Sequence, residues 1–229
     1  MYLREAVKNK TRNMEDKWNA KTLRLIGRRL EFQFNTVFDI GVAKGTPELY
    51  KAYSDKKIIL VEPLPIYEEF MQKTLKTYNA QWVKSAAGSE DSEIEIHYDE
   101  ALPAMSSIHT KTPITSGSNK VKTQRVPIKK IDTIVEELQL EGPFMLKIDT
   151  EGHELNVIKG ATETLKNTDL VVAEVSVAKR FNNSYKFSDF IKEMEIHGFE
   201  LLDILTYSKT PPKFLDAVFT KVPWRKVAP

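Results

Sequence analysis

The stretch Val37–Pro63 reads VFDIGVAKGTPELYKAYSDKKIILVEP. VFDI is a short run of strand-forming residues, and Gly41 and Gly45 punctuate the turn after it. GTPELYKAYS reads as a helix, and IILVEP as a second strand that Pro63 stops. The alternation continues downstream, with IYEEFMQKTLKTY a helix and WVKSAA a third strand. KKIDTIVEELQ, PFMLKID, ELNVIKGATETLK and LVVAEV read as helix, strand, one helix and strand. FSDFIKEMEIHG is a helix ending at Gly198, and FELLDIL with DAVFTKV closes the chain as an antiparallel pair at one edge. This rhythm predicts an α/β fold: a doubly wound, mostly parallel sheet with helices on both faces.

Two segments break the rhythm. Residues 1–35 lack Gly and Pro, apart from Gly27, and carry Leu3, Val7, Met14, Trp18, Leu25, Ile26 and Leu30 at loosely helical spacing. They read as an N-terminal helical extension to a main domain over 36–229. Packing on the core is the leading reading; a lid, a dimer arm supporting a homo-oligomer, or an anionic-surface contact are the alternatives. The second break is an insertion at about 89–128. There IEIHY and VKTQRVPI read as a small antiparallel unit, joined by a polar loop of the kind that often carries function.

Composition narrows the class. A chain of 229 residues with 41% apolar residues suits one α/β domain with a modest extension. A net charge of +2 gives no global electrostatic case for nucleic acid. The absence of cysteine removes disulfides, thiolate metal sites and cysteine nucleophiles. No run approaches the roughly 18 apolar residues of a membrane span, and no apolar core of signal-peptide length opens the chain. The expectation is a cytoplasmic enzyme.

In such sheets ligands bind outside the carboxyl ends of the strands. The first turn spells D-x-G-x-A-x-G, with Asp39, Gly41, Ala43 and Gly45. A dinucleotide turn would place glycines where Ala43 and Thr46 stand, so a phosphate cradle is poorly supported. Asp39 at the strand end instead favours a ligand with cationic or hydroxyl groups, and S-adenosylmethionine has both. Glu62, followed by Pro63, ends the second strand about 20 residues after the glycines, where a ribose-binding acid belongs. Small residues at Ser85 and Ala86 would let an adenine ring lie flat against the third strand's end. The densest chemistry is FMLKIDTEGHE, where Asp149, Glu151, His153 and Glu154 surround the start of a helix. Capping explains Glu154 well and the others less well. Glu174 ends the next strand on the same edge.

VFDIGVAKGT, LVEPLPIYEEF, the Ser106-Ser107 pair, VPIKKIDTI and LKIDTEGHELNVIKGA together resemble the FkbM family of methyltransferases, over roughly Thr36 to Lys221. The resemblance implies a seven-stranded Rossmann-like methyltransferase fold, S-adenosylmethionine as cofactor, and O-methylation of hydroxyls on sugars or small metabolites. By position, it implies that Asp39, Gly41, Gly45 and Glu62 hold the cofactor. It also implies that Asp149, Glu151 and His153 line the reaction centre.

Methyl transfer to an alcohol calls for a base. His153 is the first candidate because imidazole is neutral near pH 7; Glu151 or Asp149 could instead take the proton or orient the ring. Ser106, Ser107 and His109 in the insertion, with Glu174, suit a hydroxylated acceptor. A magnesium variant would use Asp149 and Glu174. The competing readings are an RNA methyltransferase, with Arg24, Arg28 and Arg29 tracking phosphates, and a non-catalytic binding module on the same fold.

Overall fold

The computed structural model describes residues 32–99, 106–112, 121–205 and 212–221. Most of the expected N-terminal extension, including Arg24, Arg28 and Arg29, lies outside the described residues.

From the amino end, β1 (Thr36–Ile40) leads to α1 (Pro47–Ala52) and β2 (Lys57–Val61). A 3-10 turn at Pro65–Tyr67 runs into α2 (Glu68–Thr77), followed by β3 (Ala80–Val83) and the two-residue β4 (Ala86–Ala87). The insertion supplies β5 (Ser92–Asp99) and β6 (Val121–Lys129). Next come α3 (Ile131–Glu137), β7 (Phe144–Ile148), α4 (Glu154–Lys159), α5 (Thr162–Lys166) and β8 (Thr168–Ser176). Finally α6 (Phe187–Ile196) precedes β9 (Glu200–Ile204) and β10 (Phe214–Thr220).

Seven strands form one sheet in the order β3-β2-β1-β7-β8-β10-β9. From β3 through β8 all pairings are parallel, while β10 runs antiparallel to both β8 and β9. Both faces are covered, so the central strands are largely apolar and successive residues serve opposite cores. Val37, Ile58, Leu60, Met145 and Val172 join one cluster; Phe38, Ile59, Val61, Leu146 and Val171 join the other. The chain winds outward from β1 in one direction and from β7 in the other. The crevice for a ligand therefore opens at the carboxyl ends of β1 and β7.

Two elements differ from the sequence reading. The expected third strand WVKSAA divides after Val83. Ala80–Val83 pairs with β2, whereas Ala86–Ala87 turns away and pairs in parallel with β6 in a second sheet, order β4-β6-β5. The single helix expected over ELNVIKGATETLK breaks between α4 and α5 at Gly160-Ala161. Gly160 presses on the chain just after β4: a Cβ there would fall 1.9 Å from the Gly88 carbonyl oxygen. The insertion is thus anchored to the main domain through backbone contact at a glycine.

Candidate active site at the carboxyl edge of the sheet

A cavity of about 410 Å³ opens where the strand order reverses. Gly41, Ala43, Gly45, Glu62, Pro63 and Ala86 line one half of it. Ser106, Ser107, Asp149, Glu151 and Glu174 line the other. Asp39, Ser85, His109 and His153 are not among the lining residues.

The first turn is built by the protein's own packing. Gly41 has φ 78°, and a Cβ would sit 1.9 Å from the Asp149 carbonyl oxygen; Gly45 has φ 82° and abuts the Phe70 ring. Only glycine tolerates both the left-handed backbone and the close approach. From sequence these glycines are expected to serve the ligand, but their immediate demands are the crossing of β1's turn over β7's at Gly41 and the close approach of the Phe70 ring at Gly45. Ala43, also left-handed at φ 47°, donates its N–H to Glu62 Oε2 at 2.9 Å, and the Leu64 N–H donates to Oε1 at 2.9 Å. Glu62 thereby ties the first turn to the second. Burial pushes its carboxyl up to about 7 against the pull of these two N–H groups.

Asp39, expected to hold the cofactor, lies behind the cavity wall. It is fully buried, accepts from the Tyr50 hydroxyl at 2.5 Å and pairs with Lys147 Nζ at 3.0 Å. Lys147 also reaches Asp149 at 3.5 Å and the Gly41 carbonyl at 3.4 Å. Burial would lower the Lys147 ammonium's pKa, but Asp39 and Asp149 outweigh burial and hold it above its usual range. Asp39 therefore acts from beneath the floor, by keeping Lys147 charged.

A second cation repeats the pattern at the other half of the cavity. Arg180 reaches Glu151 Oε2 at 2.5 Å and Glu174 Oε1 at 3.3 Å, with its guanidinium over the rings of Phe181 and Phe214. Its backbone carbonyl accepts from the Thr112 N–H at 2.9 Å, so the insertion holds the Arg180 loop in place. Burial raises the Glu151 carboxyl to about 7 even though Arg180 opposes the rise. Carboxyl oxygens of Asp149, Glu151 and Glu174 lie within 4.8 Å of one another. This donor set does not fit a divalent ion, because Arg180 already bridges two of its three members.

The acidic turn is held by Glu154, whose Oε1 accepts from the Thr150 and Gly152 N–H groups at 3.0 Å each and whose Oε2 accepts from Tyr185. That bonding lets Glu151 stand at φ 51° on the cavity wall. The Ser107 hydroxyl donates to the Glu151 carbonyl at 2.7 Å and accepts from the His109 N–H, latching the insertion onto the turn. His153 lies outside the cavity wall, 3.1 Å from His109 Nε2 through its Nδ1 and within reach of the Asn156 amide. Burial, then His109, lowers its pKa to about 4, which keeps the imidazole neutral. Ser85 is buried just ahead of Ala86 without entering the wall.

Sequence reading missed Lys147, Arg180 and Tyr67. Lys147 had a signal, since a lone charge inside the buried run FMLKI demands a partner. Arg180 had none, because it reaches the site from a loop far along the chain.

Residues 39–201 match the Methyltransferase FkbM domain family. The chain belongs to the FkbM methyltransferase family. A curated relative, the hexuronic acid methyltransferase AglP of Haloferax volcanii, is 40% identical over 68 residues, which is 28% of each protein. The crystal structure of methyltransferase FkbM from Methylobacillus flagellatus superposes with a TM-score of 0.51 at 15% identity, over 81% of this chain and 43% of that one. The structure of WbdD gives 0.50 at 14% identity, over 92% of this chain and 41% of that one. The chain therefore spans less than half the length of these relatives, and at these identities the structures share the fold alone. Among the described residues no helix is long and apolar enough to cross a membrane.

Proposed function

We propose that this FkbM-family protein transfers a methyl group from S-adenosylmethionine to a hydroxyl of a sugar or small hydroxylated metabolite. The observation that carries the reading is a single cavity joining a nucleoside-type half, the Gly41–Gly45 turn with Glu62, to a half lined by Asp149, Glu151 and Glu174. Its volume lies in the range of small-ligand pockets. The fit is also electrostatic. Lys147 and Arg180 are each shared by two carboxylates and Glu62 adds another, so the walls carry an excess of acid that favours a cationic ligand.

When bound, S-adenosylmethionine supplies an electrophilic methyl carbon on a positively charged sulfur. The carboxylate of Glu62 has lone pairs left to accept from ribose hydroxyls. On the acceptor side, Asp149, Glu151 and Glu174 would accept from substrate hydroxyls and orient the reacting oxygen toward the cofactor half of the cavity. Glu151 would take the hydroxyl proton as the methyl carbon passes from sulfur to oxygen, its C–S bond breaking to leave the neutral thioether S-adenosylhomocysteine; with its carboxyl near 7 it is matched to that task. We assign the base to Glu151 over His153 because His153 lies outside the cavity wall. The name of the AglP relative makes hexuronic acids the first acceptors to try.

The test is calorimetric titration with S-adenosylmethionine and S-adenosylhomocysteine, followed by an acceptor screen. Saturable binding that Glu62→Ala removes supports the reading. No binding of either ligand to folded protein sinks it, and binding without turnover on any hydroxylated acceptor favours the non-catalytic module.

A further inference from the structure

Tyr67 is a cavity residue that the packing of the protein leaves incomplete. It ends the 3-10 turn Pro65–Tyr67, and that turn is set by Glu62. Glu62 Oε1 accepts from the Leu64 N–H at 2.9 Å, and the Leu64 carbonyl accepts from the Tyr67 N–H at 3.3 Å. The carboxylate at the end of β2 therefore also positions the ring. Tyr67 is 4% exposed and lines the cavity, with Glu62 and Ser106 beside its hydroxyl.

The proton of that hydroxyl has no acceptor of ordinary hydrogen-bond geometry among the described residues, and Ser106 beside it is placed to donate toward the phenol oxygen rather than to accept. The other buried polar atoms in this condition belong to Asp39, Ser85 and Ser176, none of which lines the cavity. Asp39 is moreover ion-paired. Burying a hydroxyl donor with no acceptor is unfavourable, and such a donor facing a ligand cavity is accounted for when the ligand completes it. Burial first, and then the Glu62 charge, raises the phenol's pKa, so the hydroxyl keeps its proton and can donate. A donor beside an acceptor carboxylate is complementary to vicinal hydroxyls: one hydroxyl proton goes to Glu62 while a hydroxyl oxygen accepts from Tyr67.

We propose that Tyr67 is a nucleoside-recognition residue whose hydroxyl donates to the ribose diol that Glu62 accepts from. The inference rests on the cofactor reading above and adds to it a specific donor at the ribose. Ser106, beside Tyr67, places this contact where the insertion meets the cofactor half of the cavity.

The experiment is Tyr67→Phe, which keeps the ring and removes one oxygen. Calorimetry is run with S-adenosylhomocysteine and with methylthioadenosine, which share the nucleoside and differ at the amino-acid end. The expected result is a loss of affinity of roughly 5- to 15-fold, the same for both ligands. The unliganded variant should melt close to the wild type, because the hydroxyl donates no internal hydrogen bond. Unchanged affinity for both ligands overturns the proposal. A loss confined to S-adenosylhomocysteine also overturns it, since the hydroxyl would then serve the amino-acid end. A melting temperature lowered by several degrees overturns it as well, by making the hydroxyl structural. If the wild type binds neither ligand, the cofactor reading itself has failed, and that failure is visible before the variant is compared.

Discussion

At the scale of single residues, the cavity is organised by two buried cations, each shared between two carboxylates. Removing either cation leaves like charges facing one another out of water, which typically costs more than the ion pair contributed. Arg180→Ala is expected to lower unfolding stability by about 3 kcal/mol at pH 8. The loss should be smaller at pH 5, because Glu151, already raised to about 7, then carries a proton. Urea melts at the two pH values check this; equal losses would show that the charge pair is not the source. Glu151 also predicts a rate profile. The base role proposed for Glu151 requires log kcat/KM to climb with pH and level off above about 7, and Glu151→Gln should reduce turnover at least ~100-fold while sparing S-adenosylhomocysteine binding.

At the scale of elements, turns rather than helices set the geometry. The β1 turn crosses the end of β7 so closely that Gly41→Ala should cost about 2 kcal/mol or more, from left-handed strain together with collision against the Asp149 carbonyl. A thermal melt near that of the wild type would show that the crossing yields to a methyl group. The insertion is joined to the acidic turn through Ser107, and to the loop before α6 through Thr112. Ser107→Ala leaves the Glu151 carbonyl and the His109 N–H to find other partners. Hydrogen exchange over residues 106–109 should accelerate roughly tenfold, with little change in the central strands. Protection that is unaltered at 106–109 would show that the latch does not hold the insertion.

At the scale of the whole molecule, the strand order collects the ends of β1, β2, β7 and β8 at one edge, and the insertion is laid across them. Putting several acids there has a consequence for stability. The folded protein holds a proton on Glu151 up to about 7, whereas the unfolded chain releases it near the ordinary 4.5. The group's stabilising contribution is therefore full below about 4.5 and is lost as pH rises through 7. Relative to Glu151→Gln, wild-type stability should fall by on the order of 3 kcal/mol between about pH 4.5 and 7. Denaturant melts of both proteins across that window measure it, and a constant difference would refute the raised carboxyl.

The order of elements, the doubly wound sheet and the carboxyl-edge acids Glu62, Asp149, Glu151 and Glu174 were legible in the sequence. Alternation of apolar runs with helical spacing encodes which faces are buried, and βα topology then dictates where strand ends fall. The family, too, could be recognised from motifs in their linear order. Only the tertiary structure decided what each of these side chains pairs with. Asp39 is drawn beneath the floor by Lys147 and Tyr50, His153 is taken up by His109 and Asn156, and Glu151 faces Arg180 from 29 residues away. Likewise the helix break at Gly160 depends on Gly88, a contact that no local pattern encodes. The physical reason is range: burial periodicity is written residue by residue, whereas charge neutralisation and close backbone approach depend on distances that exist only once remote segments meet.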